Sequence, residues 1–391
     1  MILKSDKKCN ICQSYSLSSI GKAGLKDNSV TSDARLCKGS FEVYLCSDCH
    51  HLQKVYSDEN LKKIADIYSS YKAHYLSGGD EHFIFPVDGP PQPRTQYILS
   101  KCLESLPDTG KLLDLGTGTG AVLKSAGKLL KNWSLYAYDI DRKCEQYILN
   151  LPNVISFTHS TLENLPNEKF DLIVLWHTLE HISSPVDFLK RIKPLLSSKG
   201  HVLLQVPDVM RTPYDLTVID HCSHFTQNSL SNAFLKAGYS LVLNGNSWIH
   251  NCLTSLLKPG TPNGNIGRKK ALADLGHNYI EWINLNIKHF ENATKDSDYV
   301  LFGNGMASVY LLGQLSHKPS AIMDEDERKS GNYVEGVQVL NPIQVTAGAK
   351  VIFPFPLDTA KTITDKLIKT YGNMGWDFIL PVPFKESIST V

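Results

Sequence analysis

The chain has no apolar run approaching the roughly 20 residues that a membrane-spanning helix requires. Its first residues, Met1-Ile-Leu-Lys-Ser-Asp-Lys-Lys8, lack the apolar core of a secretory signal. Neither sign of charge dominates: 40 Lys plus Arg stand against 39 Asp plus Glu, a formal charge of +1, and no cationic run exceeds Arg268-Lys-Lys270. Phosphate neutralisation needs clustered cations, so neither a nucleic-acid nor a membrane partner is expected. A disulfide framework is not expected either. The nine cysteines are an odd count whose tightest pairs are C-x-x-C, which suits thiols or metal ligands in the cytoplasm. At 391 residues the chain is too long for one compact domain, and about two or three are expected.

What is present begins with Lys111-Leu-Leu-Asp114-Leu-Gly116-Thr-Gly118-Thr-Gly120, an apolar strand running into a glycine-rich turn. Glycines at 116, 118 and 120 let the backbone bend sharply and approach a ligand with no Cβ in the way, and the N-terminus of a helix starting near Ala121 points at the same spot. Gly116, Gly118 and Ala121 also satisfy a loose dinucleotide fingerprint, so the turn alone fits either a nicotinamide cofactor or S-adenosylmethionine. Asp114 separates them. A carboxylate two residues before the first glycine repels a pyrophosphate and suits the cationic aminoacyl-sulfonium end of S-adenosylmethionine. Nineteen residues after Gly120, the strand Ser134-Leu-Tyr-Ala-Tyr-Asp139 ends in a second acid placed to accept ribose hydroxyls.

Further strands follow at Val154-Ile-Ser-Phe157, Phe170–Trp176 and His201–Pro207, with an amphipathic helix over Pro185–Leu196 and a histidine-bearing loop, Trp176-His177-Thr-Leu-Glu-His181. Acid-tipped strand, glycine turn, acid-tipped strand, strand, histidine loop and strand, in this order, resemble the class I methyltransferase fold over roughly 100–245. That resemblance implies a Rossmann-like doubly wound α/β sheet and an adenine contact at Thr161 and Leu162, where Thr161 replaces the usual acid.

Two knuckles, Cys9-Asn-Ile-Cys12 and Cys46-Ser-Asp-Cys49, are separated by 33 residues, a spacing at which four thiolates can close a tetrahedral zinc site. Cys37, His50 or His51 could replace one ligand. Four protein ligands leave no open position, so the metal is expected to be structural, holding folded a small segment with little core of its own. Glycine- and proline-rich residues 76–94 read as a connection. After Pro259, Asp298-Tyr-Val-Leu-Phe-Gly303-Asn-Gly305 opens a second strand, turn and helix, with the two glycines read as shaping the turn. The expected domains are a zinc ribbon over 1–75, a cofactor domain over 76–248 and a Rossmann-like domain over 249–391.

This three-part arrangement resembles the sugar C-methyltransferase family, which adds branch methyls to nucleotide-activated deoxysugars. The family's acid–histidine pair after the fifth strand is matched by Asp220-His221, followed by Cys-Ser-His-Phe225-Thr226, although Val218 stands where a Tyr is usual. A family Tyr ahead of the cofactor domain is matched in part by Tyr75-Leu-Ser77. The resemblance implies a keto-sugar acceptor. A carbon acid beside a ketone ionises only with a base at its α-proton and a donor at the enolate oxygen. His221, oriented by Asp220, is the expected base, and Tyr75 or His181 the expected donor. O- or N-methylation of a sugar or small metabolite is the nearest alternative, and a non-catalytic binding module the alternative from another class.

Overall fold

The computed structural model describes residues 8–71, 81, 83–84, 90–161, 164–261 and 275–384. Seven strands form the central sheet in the order Val154–His159, Trp133–Asp139, Gly110–Leu115, Phe170–Trp176, Leu196–Pro207, Cys252–Pro259 and Tyr239–Asn244. Numbered along this domain the order is 3-2-1-4-5-7-6. The first five strands are parallel, and Cys252–Pro259 runs antiparallel to both its neighbours. This is the class I methyltransferase topology.

The sheet is buried on both faces because its inner strands are nearly continuous apolar runs. Successive side chains alternate sides. Leu112, Leu172 and Val174 pack with Ile98 and Val122 from the helices Arg94–Cys102 and Ala121–Leu129. Leu113, Ile173 and Leu175 pack on the other face with Leu189 and Phe234, from Pro185–Ile192 and Gln227–Ala237. The seventh strand corrects the expected boundary. Cys252 to Leu257 are all buried in this sheet, so the domain runs to Pro259 and not to 248. Pro and Gly after residue 258 mark its end, whereas the turn at Gly245 is internal.

The N-terminal segment is joined to this domain by backbone pairing. Its antiparallel sheet, Leu17–Gly21, Val43–Cys46 and Leu52–Lys54, takes its fourth strand, Ser223–His224, from the loop that follows the fifth strand of the central sheet. Its apolar face is also shared. Ile20, Val30, Val43, Leu45 and Leu52 pack in one cluster with Val209, Tyr214, Trp282, Ile283 and Tyr310. The expectation of a segment with little core is therefore replaced by one that borrows core from both neighbours.

Beyond the long helix Leu275–Thr294, a second sheet orders Val337–Leu340, Ala321–Met323, Val300–Phe302, Lys350–Ile352 and Asp377–Ile379 in parallel, with Tyr333–Val334 as an antiparallel edge. At Gly303 the backbone has φ +86° and the Phe355 ring stands 2.8 Å from where a Cβ would lie, so turn and packing alone account for this glycine. No helix among the described residues is long and apolar enough to cross a membrane.

Candidate active site

Ligands in open α/β sheets bind beyond the carboxyl ends of the parallel strands, near the point where strand order reverses. Here that point lies between Gly110–Leu115 and Phe170–Trp176. Gly116, Gly118 and Gly120 all have positive φ, at +84°, +52° and +80°. A Cβ on Gly116 would stand 2.7 Å from Thr178 Oγ1, whose hydroxyl donates to the Leu115 carbonyl at 3.0 Å. The cofactor turn and the histidine loop are thereby tied edge to edge.

Asp114 is fully buried. Its Oδ2 accepts from the Thr117 hydroxyl at 2.8 Å, and its buried Oδ1 has no partner. Burial lifts this carboxyl to about 7, with the Thr117 bond opposing. A cation arriving beside Oδ1 would restore the charged form, and the aminoacyl-sulfonium end of S-adenosylmethionine is such a cation. Asp139 accepts from the Gly118 and Asp141 amides at 2.8 and 2.9 Å, so its carboxylate is held at the second strand tip. The Thr161 carbonyl accepts from the Tyr138 hydroxyl. Leu162, Tyr75 and Ser77 lie outside the described residues.

The loops after the fourth and fifth strands bring together a buried acid–histidine cluster. His221 Nδ1 lies 2.7 Å from Asp215 Oδ1, and His224 Nδ1 lies 2.6 Å from Asp215 Oδ2. His181 stands edge to face with His221 at 4.7 Å between ring centroids. Glu180 Oε1 reaches His177 Nδ1 at 3.0 Å, while its buried Oε2 has no partner. The Cys222 amide donates to the Glu180 carbonyl at 2.9 Å, fastening one loop to the other. Burial opposes charge on His221, but the Asp215 carboxylate outweighs it and raises the imidazole above its ordinary value. Burial would likewise raise Asp215; its two imidazole partners instead hold it well below the usual carboxylate range.

The acid in contact with the His221 ring is therefore Asp215 and not Asp220. The Ser32 amide and hydroxyl, from the N-terminal segment, donate to the Asp220 oxygens at 2.8 and 2.5 Å, and Asp220 Oδ2 lies 3.7 Å from His181 Nδ1. Adjacent side chains in this non-helical stretch point apart, so sequence adjacency did not bring Asp220 onto the His221 ring. His181 Nδ1 lies 2.9 Å from the Tyr68 hydroxyl and 3.1 Å from the Asp220 carbonyl. With the ring proton on Nδ1, that nitrogen donates to the carbonyl and Nε2 is an acceptor; with the proton on Nε2, Nδ1 accepts from the Tyr68 hydroxyl and Nε2–H is the donor expected of His181. Tyr68 and Tyr71, with rings 6.0 Å apart at the end of helix Asp58–Ser69, bring phenols to the same place. Sequence reasoning missed Tyr68, Tyr71, Glu180 and Asp215. The one local signal for the tyrosines was an amphipathic helix, which marks packing and not chemistry.

Cys9, Cys12, Cys46 and Cys49 place their sulfurs within 4.8 Å of one another. Cys9–Cys49 and Cys12–Cys46 are 3.4 and 3.5 Å apart. Tetrahedral zinc thiolates at about 2.3 Å would sit ~3.8 Å apart, so the donor set and spacing fit zinc. Cys37, His50 and His51 do not belong to this group.

Residues 92–244 match the family model described as a methyltransferase domain. Two curated relatives are release factor glutamine methyltransferases. The one from Enterococcus faecalis is 33% identical over 129 residues, covering 30% of this chain and 47% of its own. The one from Lactococcus lactis is 33% identical over 90 residues, covering 22% and 33%. The chain thus spans half or less of the length of the curated relatives it matches. Among solved structures, an S-adenosylmethionine-dependent methyltransferase from Clostridium acetobutylicum superposes with a TM-score of 0.36, at 15% identity over 42% of this chain and 90% of that one.

Proposed function

We propose that this chain is an S-adenosylmethionine-dependent methyltransferase that methylates carbon beside the ketone of a nucleotide-linked sugar. The observation that carries this reading is the buried Asp215–His221 pair at the carboxyl edge of the sheet, loop-tied to the glycine turn. An oxygen or nitrogen acceptor is already nucleophilic and needs little acid–base machinery. A carbon acid needs a strong, oriented base. With Nδ1–H donated to Asp215, His221 carries its lone pair on Nε2, and the carboxylate favours the imidazolium formed when that nitrogen takes the α-proton.

S-adenosylmethionine, held at Asp114, the 116–120 turn and Asp139, would supply an electrophilic methyl. Tyr68 or Tyr71 would donate to the enolate oxygen, the part expected of Tyr75 or His181. The zinc ion would hold the two knuckles together through Cys9, Cys12, Cys46 and Cys49 and take no part in the reaction. Orientation of the carbanion against the methyl supplies much of the remaining rate. The test is incubation with labelled S-adenosylmethionine and a panel of nucleotide-linked keto sugars, with the transferred methyl located by NMR. A methyl on carbon supports the reading; a methyl on oxygen or nitrogen overturns it.

A further inference from the structure

Lys54 is a buried cation that the proposed reaction does not touch. It ends the strand Leu52–Lys54, five residues past Cys49. Its Nζ donates to the Val218 carbonyl at 2.6 Å and the His221 carbonyl at 3.2 Å, and meets His224 Nε2 at 3.0 Å. An ammonium offers three protons and no lone pair. His224 Nε2 must therefore be an acceptor, which puts the His224 proton on Nδ1, facing Asp215 Oδ2 at 2.6 Å. Asp215 then receives one N–H bond from each imidazole, and its other oxygen fixes the His221 proton on Nδ1.

From this chain of contacts we infer that Lys54, carried by the metal-binding segment, is a positioning residue for the base: it keeps the His224 ring neutral, with Nε2 as an acceptor, and so leaves the Asp215 charge to orient His221 and set its basicity. The inference deepens the reading of His221 given above. The metal-binding fold reaches the same contacts. Gln53 accepts from the Asn10 amide at 2.7 Å, and Asn10 Nδ2 donates to the Ser223 hydroxyl at 3.3 Å, so the first knuckle rests on the strand that carries His224. The backbone between the second knuckle and Lys54 is closed by the Cys46 amide on the His51 carbonyl at 3.0 Å.

The charges around this relay agree with it. Burial, reinforced by Lys54, lowers His224 to about 4, so the ring is neutral at pH 7 as the tautomer argument requires. Burial lowers Lys54 to about 8 against the pull of Asp215, Asp220 and Cys222, while His51 faces His224 from the loop before the strand. A neutral amine has two protons for three partners. Above about pH 8 one contact is therefore released, and the base loses part of its support.

The variant Lys54→Met keeps the stem and removes the charge. Two measurements on the full-length, zinc-loaded protein test the relay. The first, without substrate, reads the histidine tautomers by long-range proton–nitrogen NMR on protein with labelled imidazoles. The wild type should show a neutral His224 with its proton on Nδ1, and Lys54→Met should move the ring toward the imidazolium, with a second proton on Nε2. A ring that stays neutral in a folded variant overturns the inference, whatever the acceptor turns out to be. The second follows solvent deuterium entering the α-carbon of a keto sugar. Lys54→Met should exchange about 10- to 100-fold more slowly, with unchanged S-adenosylhomocysteine affinity, and should lose the fall in rate above about pH 8. Exchange at the wild-type rate with an unchanged alkaline limb overturns it. If the wild type exchanges no keto sugar while the shift toward imidazolium is seen, the relay stands and the carbon-acid reading fails. Lys54→Arg, which restores a cationic donor, should recover the neutral His224 ring; a folded Lys54→Arg protein with the imidazolium of Lys54→Met would count against the relay.

Discussion

Asp215 Oδ1 lies 2.7 Å from His221 Nδ1, in a site where both side chains are almost wholly buried. That bond gives the imidazole its orientation, its tautomer and its raised basicity at once. Asp215→Asn should therefore act on the base. We expect α-carbon exchange to fall by about 10²-fold or more, with cofactor binding kept. Asp220→Asn should differ: its oxygens hold Ser32, so it should loosen the N-terminal segment and lower the His221 titration less than Asp215→Asn does. Titration of His221 by NMR in the two variants separates them.

The pH dependence follows from the same pair. A base must be unprotonated, and His221 titrates above the ordinary 6.5, so exchange should rise with pH through an apparent pKa above that value. Stability moves the other way for this group. A raised imidazole pKa contributes stability that is full below the unfolded value and is lost as pH rises through the folded one. His224, lowered to about 4, works oppositely: as pH falls from 6.5 toward 4, the unfolded ring takes a proton that the folded ring refuses, and stability declines. Asp215, held low, adds stability above the ordinary carboxylate value and loses it as pH falls. Denaturant midpoints measured from pH 4 to 9 check these signs.

Cofactor binding should rest on both strand tips. Asp139→Ala removes a fixed carboxylate from the ribose position and should weaken S-adenosylmethionine about ten- to hundredfold, or ~1.5–3 kcal/mol. Asp114→Asn removes the charge but not the shape, and should weaken S-adenosylmethionine more than an uncharged adenosine. Calorimetry with both ligands checks this.

The acid-tipped strands and the glycine turn were readable in the sequence, whereas the contacts among the histidine-bearing loops were not. Asp114, the three glycines and Asp139 are local signals, because strand, turn and helix follow one another without interruption. Asp215 is six residues from His221 and sits in the short helical turn Pro213–Thr217, so only the reversal of the chain at Val218–His221 brings the two together. Asp220, next in sequence, looked like the partner and points elsewhere. The four cysteines were legible from spacing, whereas the pairing of Leu52–Lys54 with Ser223–His224 is a contact between distant segments that no local pattern encodes. The seventh strand was left out of the cofactor domain, which was ended at 248, because antiparallel return of the chain into the same sheet has no local mark.

Metal removal should show that pairing. Cys46→Ser, or stripping by a strong chelator, should release one zinc per chain, since a fourth of the thiolates is lost or the ion is withdrawn. Protease should then cut first near residues 8–54, while the seven-stranded domain resists longer. Because Ser223–His224 pairs with that segment, amide exchange at residues 221–224 should accelerate with it. Metal analysis and hydrogen-exchange mass spectrometry make the comparison.

The central claim is that His221 removes a proton from carbon. In deuterated water, with S-adenosylhomocysteine in the cofactor site and an accepted keto sugar present, the wild type should place deuterium on the α-carbon because no methyl is available to trap the enolate. His221→Ala should lose both this exchange and methyl transfer by about 10²–10⁴-fold while still binding cofactor. Methyl transfer at near-normal rates by His221→Ala, or methylation of a sugar whose α-carbon never exchanges, would contradict the account.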